Sequence, residues 1–63
     1  MKRDEIARLL ALLVRWFKNH LTPDSEIYLV EGKRMSARIF YKKIVSGTEE
    51  SRRLLKVFKN IIQ

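Results

Sequence analysis

The chain contains no cysteine. That absence excludes a disulfide framework and any thiolate metal site, the usual staples of very small secreted domains. A cytoplasmic, non-secreted location is therefore expected. Glycine occurs only at positions 32 and 47, so no glycine-rich loop can cradle a phosphate. Long apolar runs are missing too. The longest, Leu9 to Val14, covers six residues, whereas a membrane-spanning helix needs roughly 20. The Arg15-Trp16-Phe17-Lys18 that follows offers no signal-peptide cleavage site. Histidine appears once, as His20, and a lone histidine at a helix end is read as a cap, because general-base chemistry needs an oriented partner. The carboxylates Asp4, Glu5, Glu49 and Glu50 fall in first turns of expected helices, where the helix dipole accounts for them. These absences predict a non-enzymatic protein with no metal, no cofactor, no small-molecule substrate and no membrane partner.

What the chain has in excess is positive charge. Fourteen Lys and Arg stand against seven Asp and Glu, for a formal net charge of +7 over 63 residues. The excess is localised: residues 32–43 carry +5 and residues 51–63 carry +4, while 23–31 carry −3. At this length one domain spanning 1–63 is expected. A core of this size rarely supplies more than ~3–5 kcal/mol, which makes a homodimer the expected state.

Apolar residues at Ile6, Leu9, Leu10, Leu13, Phe17 and Leu21 recur at spacings of three and four, predicting a helix over about 3–20. Leu12 and Trp16 intrude on its polar stripe, and a helix so nearly apolar all round seeks a second contact. Leu12 and Trp16 are the candidate oligomer interface. Thr22-Pro23-Asp24-Ser25 ends the helix. Beyond Gly47, Thr48 with Glu49 and Glu50 begins a second helix over about 48–62, whose apolar stripe is Leu54, Leu55, Phe58, Ile61 and Ile62.

The segment between these helices admits two readings. From Arg34 to Lys42 polar and apolar side chains alternate, so strands at about 26–31 and 34–42 around a Gly32-Lys33 turn give an α+β fold of order α-β-β-α. That register sets Val30 opposite Met35 and Tyr28 opposite Ala37. It points Tyr28, Val30 and Met35 to one face, and Ile27, Leu29, Arg34, Arg38, Phe40 and Lys42 to the other. The alternative is an all-α, helix-turn-helix-like domain of four helices. In it 23–31 and Ser36 to Ser46 are helical, and Ser36 to Ile44 serves as recognition helix.

The hairpin reading collects Arg34, Arg38 and Lys42 around Phe40, with Lys33 at the turn. Cations neutralise phosphates and release counterions, and an aromatic ring stacks on a base. Arg52, Arg53, Lys56 and Lys59 on the last helix add a second basic surface. The expected function is nucleic-acid binding through backbone phosphates, with DNA favoured over RNA because a two-stranded ribbon fits the B-form major groove. Two alternatives stand beside it: an adaptor that docks an acidic partner protein through the apolar first helix, and a helix-turn-helix regulator.

Overall fold

The computed structural model describes residues 2–62. Helix α1 spans Arg3–Lys18, with Asp4 and Glu5 in its first turn and Arg15 and Lys18 in its last, both signs matched to the helix dipole. It stops at Asn19, whose N–H donates to the Arg15 carbonyl. Strands β1 (Ile27–Val30) and β2 (Lys33–Ser36) pair antiparallel, followed by α2 (Ala37–Val45) and α3 (Glu49–Ile62). The fold is α+β, with three helices and one two-stranded hairpin among the described residues.

The hairpin turns at Glu31-Gly32 rather than Gly32-Lys33. Both residues have positive φ, 51° and 79°, the requirement of a tight turn whose twist matches that of the strands. Val30 therefore opposes Lys33, and Tyr28 opposes Met35. Each partner has moved by two positions from the sequence-based register. An even step preserves the faces: Tyr28, Val30 and Met35 turn toward the core, while Ile27, Leu29 and Arg34 turn outward.

The larger correction comes at Ser36. The strand expected over 34–42 ends there, and the chain enters α2. Ser36 Oγ accepts the Ile39 N–H at 3.2 Å, capping the helix. Two more orphan donors of the first turn are satisfied by the preceding loop: the Ala37 N–H donates to the Glu26 carbonyl at 2.9 Å and the Arg38 N–H to the Pro23 carbonyl at 3.3 Å. Burial follows the helical period. Ala37, Phe40 and Ile44 are buried, while Ile39 is 48% exposed. The helix wins because it seats Phe40 and Ile44 in the core and pairs its own backbone, whereas a bare ribbon of two long strands is marginal. Of the all-α alternative, the second helix is present and the helix over 23–31 is not.

Replacing Ser36 by alanine is expected to lower stability by about 1 kcal/mol in urea unfolding, through loss of the cap. A neutral result would return this junction to strand geometry.

Leu9 and Leu13 of α1, Val30 of β1, Phe40 and Ile44 of α2, and Leu54, Leu55 and Phe58 of α3 form the core. Gly47, at φ +74°, separates α2 from α3, and the Lys43 carbonyl there accepts from both Ser46 Oγ and Ser51 Oγ. Among the described residues no helix is long and apolar enough to cross a membrane.

Candidate nucleic-acid interface

Phe40 was expected on an outer face beside the arginines; it is fully buried, its ring 5.8 Å from that of Trp16. It cannot stack on a base. Trp16, expected with Leu12 at an oligomer interface, is half-buried: it packs within its own chain against Tyr28, Phe40 and Phe58, at centroid distances of 5.4–5.8 Å, and its remaining surface lines a depression beside Leu12. Leu12 stays on the surface, 36% exposed, and shares a shallow depression with Ile62.

The cationic stripe is divided by the entry into α2. Arg34 stays exposed on the outer face of the hairpin. Arg38 donates to Asp24 Oδ1 at 2.6 Å and lies 5.7 Å above the Phe17 ring. Lys42 is exposed, one turn further along α2. On α3, Lys59 is held by Glu5 at 3.1 Å, and its ammonium keeps the Glu5 carboxyl below the usual range by hydrogen bond and by charge. Arg52 and Lys56 are exposed and have no carboxylate partner among the described residues.

The structure brings Lys33 and Arg53 together. A cleft of about 390 Å³ opens between the hairpin turn, α2 and α3, floored by Val30, Met35 and Leu54. Lys33, Lys43 and Arg53 reach it from three different elements, with Glu31 and Glu50 between them. Arg53 Nε lies 2.9 Å from Glu31 Oε1, and Lys43 Nζ lies 3.5 Å from Glu50 Oε2. These pairs are solvent-exposed, and such pairs contribute at most ~1 kcal/mol each. A phosphate oxygen can therefore replace a carboxylate at little cost. Lys33 has no ion-pair partner among the described residues.

Lys43 is the residue that sequence reasoning missed. Its only signal was a cation and an anion, Lys43 and Glu50, placed on either side of Gly47. That pairing becomes visible only once both flanks are helical.

His20 is engaged at both ring nitrogens. Nδ1 lies 2.7 Å from the Trp16 carbonyl, which can only accept, so Nδ1 carries the hydrogen and Nε2 accepts from the Tyr28 hydroxyl at 2.7 Å. The ring thus caps α1 and ties it to β1. Burial, then the negative charge of Glu26, raises the Tyr28 hydroxyl above its ordinary value. Because the folded value exceeds the unfolded one, this contribution to stability is complete below about pH 10 and is lost as pH rises through the folded value. Alkaline unfolding followed by circular dichroism should show that loss. Tyr28→Phe should start less stable, lacking the His20 bond, and fall less steeply above pH 10.

No family model, curated protein or solved structure matches the chain.

Proposed function

We propose that this domain binds duplex nucleic acid through its phosphates, without catalysis, at the cleft of Lys33, Lys43 and Arg53, and that Arg34 and Lys56 extend the contact. The observation that carries the reading is the convergence of three cations from β2, α2 and α3 on one open cleft. Its carboxylates are held only by exposed, exchangeable pairs. DNA is favoured over RNA because Arg53, Lys56 and Asn60 follow one another at spacings of three and four along α3. A helix face of that kind fits the B-form major groove and not the deep, narrow groove of A-form RNA. The non-catalytic part of the reading is supported by His20, whose ring nitrogens are both occupied by structural hydrogen bonds. Self-association falls to Leu12 and Trp16, with Ile62 beside them in one shallow depression.

The test is a binding titration against duplex DNA, single strands and duplex RNA at several salt concentrations. With four or five phosphate contacts, log K for the DNA duplex should fall against log salt with a slope of about −4. No detectable affinity at low salt, or affinity indifferent to salt, would overturn the reading.

A further inference from the structure

The other flank of the α2–α3 pair carries a second concave surface of opposite character. Ile6, Leu10 and Val14, one turn apart along α1, form one wall, and Val45 and Leu55 form the other, enclosing a groove of about 340 Å³. Val45 is 48% exposed there. The only polar side chains in the lining are Ser51 and Arg52, and no carboxylate lies among them. From Ile6 to Val14 the wall runs ~12 Å at 1.5 Å per residue, about the length of two helical turns.

We propose that this groove docks an acidic amphipathic helix of a partner protein. The groove is open along its side, and its apolar wall repeats at one-turn intervals, a form that matches the anchor spacing of a helix laid in a groove. Charge decides the occupant. Arg52 lies at the rim with no carboxylate within ion-pair distance among the described residues. Arg3 precedes Ile6 by three positions on α1 and adds a second cation at that end of the wall. Two copies of this groove face to face would bring Arg52 against Arg52 with no carboxylate in either lining, and like charges brought together oppose docking. A helix with an apolar stripe and flanking glutamates satisfies both the wall and the rim. This surface does not include the cleft of Lys33, Lys43 and Arg53, so the two functions stand or fall separately.

The test is fluorescence anisotropy with the whole chain and a labelled peptide of about 16 residues, long enough to hold a helix. Its leucines sit at i, i+3, i+4 and i+7, and glutamate fills its flanks. A scrambled peptide of the same composition and a lysine-flanked version serve as comparators. The acidic amphipathic peptide should bind, and both comparators should bind about tenfold or more weakly. Val45→Asp and Arg52→Glu, both at exposed positions and checked for folding by circular dichroism, should each weaken it about tenfold. The proposal is overturned by equal binding of the scrambled peptide, by indifference to both substitutions, or by displacement of the peptide with duplex DNA. It is equally overturned if Val45→Asp instead dissolves a dimer of the chain or abolishes its attachment to phosphatidylserine vesicles.

Discussion

Replacing Phe40 by alanine is expected to leave the chain unfolded at 25 °C. The ring is fully buried, stands edge-on to Trp16, and belongs to the cluster that joins α1, β1, α2 and α3. Deleting a buried phenylalanine typically removes 3–5 kcal/mol, through lost transfer energy and the cavity left behind. A core of this size supplies only about that much in total. Far-ultraviolet circular dichroism of Phe40→Ala should therefore show a collapsed helical signal, while Phe40→Leu, which keeps most of the volume, should remain folded with a lower urea midpoint. A stable, fully helical Phe40→Ala that had lost only nucleic-acid affinity would return the ring to the surface and refute the burial.

The second large effect concerns the cleft. Converting Lys33, Lys43 and Arg53 together to glutamine should reduce affinity for a DNA duplex by on the order of 10²–10³ at about 50 mM salt and make the salt slope shallower by about three. Arg8, Arg15 and Lys18 are exposed on α1, away from the cleft. Converting those three to glutamine removes the same charge and should cost no more than a few-fold. Equal losses would mean that total charge, not the cleft, governs binding. The triple substitution also frees Glu31 and Glu50 from their exposed pairs, which contribute little to stability. Folding should therefore survive.

The two long helices were legible in the sequence because propensity, apolar spacing and end charges agree there. Asp4 and Glu5 open one and Lys18 closes it; Glu49 and Glu50 open the other and Lys59 closes it. The passage from β2 to α2 was not legible, because residues 35–44 satisfy two periods at once. Met35, Ala37, Ile39 and Tyr41 alternate, while Ala37, Phe40, Tyr41 and Ile44 repeat helically. Ser36 is a cap, but Ile39 occupies the position where a glutamate would have completed a capping box, so the helix start carried half a signal. The Ile, Val, Tyr and Phe crowded between residues 26 and 45 also favour strand, and tertiary packing overrides that preference.

The candidate site was legible only as a list of cations. Which of them are tied down depends on partners distant in the chain: Arg38 on Asp24, 14 positions away, and Arg53 on Glu31, 22 positions away. Spacing along the sequence says nothing about such pairs, and the cleft exists only where three elements meet.

Among the described residues the hairpin has no third strand, so its two outer edges carry backbone donors and acceptors open to another chain, with Ile27 and Leu29 50% and 73% exposed beside them. Such edges invite strand-to-strand aggregation unless charge keeps neighbours apart. Lys33 and Arg34, on the second strand, are the residues placed to do so. The cations read as a binding surface therefore also act as gatekeepers of colloidal stability. A polyanion that neutralises them, or salt that screens them, removes the repulsion that holds two hairpins apart.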